Sequence, residues 1–447
     1  MLRRMVNIGL LGVTLALVFS VLMIAAYALP STRIRSHLPS SIDQLASEGE
    51  PYRPFFGLWG FSTFNYVDAL MLNEALGPAR QSPIRDAFAN EMLTQTSWPG
   101  SDTLGDLRAA VQGRGSPFAY ARYWHGYQVV LRPLLILFDY RAIRWLNAVV
   151  FFLLLAAVSL ALRYRLGLKT MLAFLFALIA VNVAVVPMSM VYSGVFYVAL
   201  GGVLVATLNM NRENGVHLDL EIFFILGALT AFVDLLSTPL VTLGIPLTVL
   251  LIGRIQSSRE FSNKSLWWHT AKMSIVWFCG YAGTWAAKWL LSTLVLGYNV
   301  IEDGLASVMI RSYGAAPGVT TGWASNLAHQ LLGLLPILGW HKDPPSWDVI
   351  AAACTVPMLV LVLITAMLAK HKRADGRGVR VLGLLLVGAL PFAWYLVLYN
   401  HSSIHYFMTY RLLSISVFAA GYSVLYLFEP YYLATLKSRL EGRLRGD

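Results

Sequence analysis

The chain reads as an all-α polytopic membrane protein of about ten transmembrane helices, with a large polar insert after the first of them. Composition carries the class. Of 447 residues 57% are hydrophobic and only 13% charged, and mean hydropathy is +0.61, whereas a soluble domain holds roughly a quarter charged residues. Charge placement carries the topology. The formal charge is +11, yet the basic residues stand in short breaks between apolar runs: Arg3 and Arg4; Arg163, Arg165 and Lys169; Arg254, Arg259 and Lys264; Lys370 to Arg380; Lys437 to Arg445. That is the positive-inside pattern of cytoplasmic loops, so membrane lipids are expected as partners and nucleic acid is not.

The first apolar run, about residues 6–29, is longer than the core of a cleavable signal and long enough to span a bilayer. Residues 1–29 are therefore read as a retained first transmembrane helix. Residues 30–141 form an outer insert. Residues 142–430 form the transmembrane core, with further spans at about 143–162, 170–187, 191–209, 220–236, 239–253, 271–297, 347–369, 380–399 and 411–428. The stretch 324–340 reads equally as a span, a re-entrant segment or a surface helix. Residues 431–447 form a basic cytoplasmic tail. Cys279 and Cys354 lie apart in apolar segments, which indicates buried thiols and no disulfide framework.

The insert is predicted to fold into amphipathic helices on the membrane surface. Apolar residues recur at helical spacing over 66–76 and 83–93, and a third helix over 102–111 has Ser101 as its expected N-cap. Pro78, Pro83 and Pro99-Gly100 separate the pieces.

Chemistry concentrates at four places. Asp68, at the start of the first insert helix, is the candidate general base for an acceptor hydroxyl; the alternative is that it only caps that helix. Nearby Glu74 reads as a solvated or paired acid. The run Tyr120-Ala121-Arg122-Tyr123-Trp124-His125-Gly126-Tyr127 combines a planar donor fork for phosphate at Arg122, a phosphate donor or proton carrier at His125, and sugar-facing rings at Tyr123, Trp124 and Tyr127. An interfacial aromatic belt with a snorkelling arginine gives the same pattern. Asp234, an acid near the outer end of the fifth span, reads as a sugar or acceptor contact, or as a carboxylate satisfied at the turn. In the last outer loop His405, Tyr410 and Arg411 read as contacts to an anionic headgroup. His401 and His405 have the spacing of metal ligands on one helix face, but no further ligand motif accompanies them, so no metal is expected. Glu302, Asp303, Arg311, Tyr313 and His329 are candidates for the acceptor side.

No phosphate-binding glycine loop, dinucleotide fingerprint, zinc-protease motif or nucleophile elbow is present. A polar, aromatic insert against a bilayer suits an enzyme whose activated substrate arrives as a lipid. The competing expectation is a transporter or flippase of lipid-linked glycans, with Asp234 as its coupling site, which calls for broken helices and an inverted repeat.

The long first outer loop, the acid within it and the outer aromatic and arginine clusters together resemble the GT-C superfamily of polyprenyl-phosphate-dependent glycosyltransferases. The runs at 120–127 and 234–247 are similar to those of the bacterial type IV pilin arabinosyltransferase group. The resemblance implies an inverting transferase in the bacterial inner membrane with its active site facing outward. It implies a polyprenyl-phosphate donor carrying D-arabinofuranose and a glycan or protein acceptor such as pilin. Asp68 matches the superfamily's acidic residue of the first outer loop, which here lacks the tandem acidic pair of some members.

Overall fold

In the computed structural model, residues 2–49, 52–55, 58–78, 82–95, 102–210, 215–257, 263–313, 322–334 and 377–427 are described. The expected span at 347–369, the loop around Lys370 and the tail at 431–447 lie outside them. Helix α1 (Leu2–Ala28) carries no charge beyond Arg4 and leaves Val6, Leu10, Val13, Leu17 and Val21 outward along one face. Five of the described helices or helical stretches are long and apolar enough to cross a membrane: 6–28, 140–166, 190–209, 380–397 and 406–427. Leu168–Ala180 and Val241–Gln256 are apolar but shorter. The chain is thus a helical membrane protein.

The insert is not all helical. It begins with α2 (Ser31–Glu48), whose Ile34, Leu38, Ile42 and Leu45 are buried at helical spacing. Strands β1 (Tyr52–Phe55) and β2 (Leu58–Phe64) form an antiparallel pair, and α3 (Asn65–Leu76) follows. Helix α4 (Pro83–Ala89) starts on the Ser82 side chain and stops at Asn90, which adopts φ 48°. The helix expected through residue 93 therefore gives way to β3 (Glu91–Thr94), which pairs with β4 (Ser116–Ala119). The cause is local: a left-handed Asn ends the helix, and Asn73 then holds Leu93 by both its backbone groups, at 3.1 and 2.8 Å. Between the strands, α5 (Thr103–Val111) is capped by Asp102 rather than Ser101, its carboxylate accepting from Gly105 N at 2.6 Å. Helix α6 (Gln128–Leu137) returns the chain to the membrane.

Helix α7 (Tyr140–Leu166) is capped by Asp139 and ends in Arg163 and Arg165. The third expected span is shorter than predicted: α8 (Leu168–Ala180) stops before Asn182, at φ 56°, and a 3-10 turn over Val183–Met188 containing Pro187 leads into α9 (Met190–Asn209). Helices α10 (Gly215–Val233), α11 (Val241–Gln256) and α12 (Asn263–Leu296) follow. Helices α10 and α12 approach closely at paired glycines: a Cβ on Gly227 would collide with the Trp277 carbonyl, and one on Gly280 with the Phe224 carbonyl. Beyond the membrane, α13 (Val300–Ser312) starts on Asn299, which caps Glu302 N at 3.2 Å, and α14 (Trp323–Leu332) follows. The span expected over 380–399 is present as the helical stretch 380–397, interrupted at Ala389 between α15 (Arg377–Gly388) and α16 (Leu390–Val397), with Pro391 opening the second piece. Short helices α17 (Tyr399–Ile404) and α18 (Tyr406–Thr409) precede a last helix over 414–427.

Candidate functional site

Three stretches far apart in sequence meet at one cleft of about 310 Å3, lined by Arg122, Asp303, Ser307, Arg311, Asn400, His401 and His405 among others. The first stretch, 120–127, is pinned at both ends: Tyr120 N donates to Ala89 O at 3.0 Å and Gly126 N to Phe232 O at 2.8 Å. A Cβ at Gly126 would strike the Phe232 ring, so only glycine permits this approach. Arg122 is buried, and its Nη1 donates to both Asp303 oxygens at 3.1 Å while its guanidinium lies over the Tyr120 ring. Asp303 comes from the first turn of α13 and is 47% exposed. One helical face of α13 also supplies Ser307 and Arg311, which hydrogen-bond each other. Asn400 Nδ2 donates to Ile310 O at 2.8 Å and fastens α17 to α13.

His401 and His405 face the cleft with ring centroids 4.7 Å apart. His401 Nε2 donates to Leu236 O at 2.7 Å. Burial, with the neighbouring Arg311 guanidinium second, pushes His405 down to about 4; burial, His405 and Arg311 hold His401 well below its usual value. Both imidazoles are therefore neutral at neutral pH; the single N–H of His401 is spent on Leu236 O, which leaves its Nδ1 an acceptor, and the arginines supply the positive charge. No group of three metal-binding side chains exists among the described residues.

The other predicted site residues fall elsewhere. Asp68 is fully buried and outside the cleft lining. Its Oδ2 accepts from Tyr140 and from Ser189 Oγ at 3.0 Å; its Oδ1 accepts from Met190 N at 3.0 Å and Val191 N at 3.4 Å. Arg144 lies 3.7 Å away and is itself held by Glu48 at 2.7 Å. Burial raises the Asp68 carboxyl, opposed first by Arg144 and then by these hydrogen bonds. Asp68 accepts from the first N–H groups of α9 rather than capping its own helix, and both its oxygens are engaged. Arg411 is buried between the rings of Tyr192 and Tyr410, 4.0 and 4.8 Å from their centroids, and donates to Phe407 O at 3.1 Å. The Tyr410 hydroxyl accepts from Asn182 at 3.1 Å and donates to Val181 O at 3.3 Å. Neither lines the cleft, whereas Arg311 does.

Trp124 is a core bolt rather than a sugar face: its Nε1 donates to Thr284 O at 2.7 Å, and its ring packs edge-on against Phe19 and Phe232. His125, at φ 54°, donates from Nε2 to Tyr120 O at 2.9 Å, and its Nδ1 lies 3.0 Å from Glu74. Tyr127 also donates to Glu74, so the acid is paired, and this buried trio braces the 120–127 stretch from behind. Tyr123 is buried beside the cleft, between Tyr120 and Trp285, with Arg311 over its ring. Asp234 is not inside a span: α10 ends at Val233, and Asp234 opens a tight turn in which Oδ1 accepts from Ser237 N at 2.8 Å and Oγ at 2.6 Å. Of the acceptor-side candidates, Asp303 and Arg311 enter the cleft. Glu302 caps with Asn299, Tyr313 donates to Leu396 O, and His329 stacks on Tyr406.

Lys288 was missed by the sequence reading. It is buried in α12 and donates to Asn90 Oδ1 at 2.7 Å and Phe88 O at 3.1 Å, fastening α4 to the membrane core. A lone lysine in the apolar stretch 273–296 was the available signal. Comparison of the chain with protein-family models, with characterised proteins and with solved structures finds no match.

Proposed function

We propose that the protein is an inverting glycosyltransferase that draws its sugar from a polyprenyl-phosphate lipid at the outer face of a bacterial inner membrane. One observation carries the reading: Arg122, Arg311 and the neutral imidazole of His405 converge on a single cleft whose lining holds one carboxylate, Asp303. Such a donor set suits a phosphate anion at the membrane surface. The acceptor hydroxyl oxygen attacks the anomeric carbon from the face opposite the phosphate. The glycosidic carbon–oxygen bond breaks, the electron pair leaves with the phosphate, and Arg122 and Arg311 hold the charge that develops. The hydroxyl proton passes to Asp303, the carboxylate at the cleft mouth. D-Arabinofuranose as sugar and a glycan or pilin as acceptor come from the family resemblance alone.

Transfer from a synthetic polyprenyl-phosphoryl sugar by purified protein in nanodiscs tests this. Loss of transfer in Arg122→Lys and Asp303→Asn, with folding intact, supports it. The interrupted helices at Asn182 and Ala389 favour a second reading, a transporter of lipid-linked glycans. Proteoliposomes that move such a lipid between leaflets, with no transfer to any acceptor, would establish that reading instead.

A further inference from the structure

One face of α12 carries four aromatic residues at every fourth position: Trp277, Tyr281, Trp285 and Trp289. Successive ring centroids are 5.1, 6.2 and 5.8 Å apart. An interfacial belt spreads such rings around a helix end; here they form a single ladder that climbs to the cleft. Its two ends are satisfied, since Trp277 Nε1 donates to Thr242 Oγ1 at 3.0 Å and Trp289 Nε1 to Arg122 O at 2.9 Å. In its middle the Tyr281 hydroxyl and Trp285 Nε1 interact with each other.

Three buried polar atoms around that middle have no hydrogen-bond partner among the described residues: Asp234 Oδ2, Trp394 Nε1 and His401 Nδ1. These groups are neighbours. Tyr123, Leu236, Leu398, Trp285 and Trp394 form one apolar cluster, with Trp285 and Trp394 only partly buried. Asp234 acts electrostatically on both Tyr123 and Tyr281. His401 lines the phosphate cleft and also holds Leu236 O. Leu236 itself sits at φ 68°, a costly conformation for leucine that the Asp234 turn and His401 maintain.

Three unpartnered polar atoms in one place carry a desolvation cost. They are set among aromatic faces, which stack on the C–H faces of a sugar, and they offer its hydroxyls a donor, Trp394 Nε1, and two acceptors, the Asp234 carboxylate and His401 Nδ1. We propose that Asp234, Tyr281, Trp285, Trp394 and His401 form a subsite for the neutral, polyhydroxylated ring of the donor, next to the arginines that take its phosphate. This assignment rests on the lipid-donor reading above, and it moves sugar recognition from Trp124 and Tyr127 to α12 and the 234–238 turn.

The test compares binding of farnesyl phosphate and farnesyl-phosphoryl arabinofuranose to the full-length protein in nanodiscs. The variants are Trp285→Phe, Trp394→Phe and Asp234→Asn, each checked for an unchanged melting temperature. Phe keeps an aromatic face but removes the indole N–H together with its fused five-membered ring, so Trp394→Phe stays informative if Asp234→Asn fails to fold. The expected result is about ten-fold weaker binding of the glycosylated lipid, the loss of one directed hydrogen bond, with unchanged binding of farnesyl phosphate. Equal loss for both lipids, or no loss for either, overturns the sugar subsite. Failure of the unaltered protein to bind either lipid overturns the lipid-donor reading itself.

Discussion

Arg122 and Asp303, 181 residues apart in sequence, meet at 3.1 Å across the mouth of the cleft. The pair joins the first outer segment to α13, and it brings a guanidinium and a carboxylate to one place where an anionic donor and an acceptor hydroxyl can share them. Its exposure differs at the two ends: Arg122 is 8% exposed and Asp303 47%. The arginine is buried, and the acid it holds is half exposed at the cleft.

Substitutions in the pair are expected to act differently. Asp303→Asn should lower transfer roughly a hundred- to ten-thousand-fold, the usual contribution of a general base, with little change in donor binding. Arg122→Lys keeps the charge but loses the planar fork, and should weaken donor binding as well as turnover. Steady-state transfer kinetics beside lipid binding separate the two. Full activity of Asp303→Asn would remove it from the chemistry.

Asp68→Asn is expected to be a stability variant. The carboxylate caps α9 and neutralises Arg144 in a buried setting. Removing one partner of a buried pair costs about 3–5 kcal/mol. The melting temperature should fall clearly, while the folded fraction keeps its transfer rate per molecule. A dead enzyme of unchanged stability would return Asp68 to the role of base.

Gly227→Ala should destabilise the protein by about 1–3 kcal/mol or more, because the added methyl meets the Trp277 carbonyl, which cannot rotate away. Gly283→Ala on the neighbouring helix, where a Cβ meets nothing within 4 Å, should be neutral. Thermal unfolding of the two variants side by side checks the closeness of α10 and α12.

Acid should destabilise the fold through His405. Its folded value is about 4 against the ordinary 6.5, so the unfolded chain binds the proton first. The stability associated with the neutral ring is fully present above pH 6.5 and is lost as pH falls toward 4. The shift corresponds to about 3 kcal/mol. His405→Gln should flatten the decline of melting temperature between pH 6.5 and 4; an unchanged slope would place the titration elsewhere.

Topology is testable in intact cells in a background lacking Cys279 and Cys354. An impermeant thiol reagent should modify a cysteine at position 95 and spare one at position 376. The reverse labelling would invert the orientation read from the basic loops.

Hydropathy and charge placement alone identified a helical membrane protein with a folded outer insert. A bilayer imposes its demands residue by residue: apolar runs long enough to span, and arginines and lysines kept in short breaks. Helices α1, α7, α9 and α12 were legible for that reason, and α3 from the helical spacing of its apolar residues. The cluster around Arg122 was legible as well, since arginine among aromatics is a local pattern. The partners were not. Asp68 and Asp303 are both acids in the first turn of a surface helix, and nothing local distinguishes them. Only the folded chain brings Ser189 and the start of α9 onto Asp68 and places Asp303, paired with Arg122, in the cleft lining. Arg411 and Arg311 divide in the same way, one enclosed by Tyr192 and Tyr410 and the other lining the cleft. The strands escaped notice because Asn90 and the Asn73 clamp on Leu93 override a helical pattern through contacts 20 residues apart. Residue type decides what a side chain can do; the packing of distant segments decides which lone pairs and which donors remain free to do it.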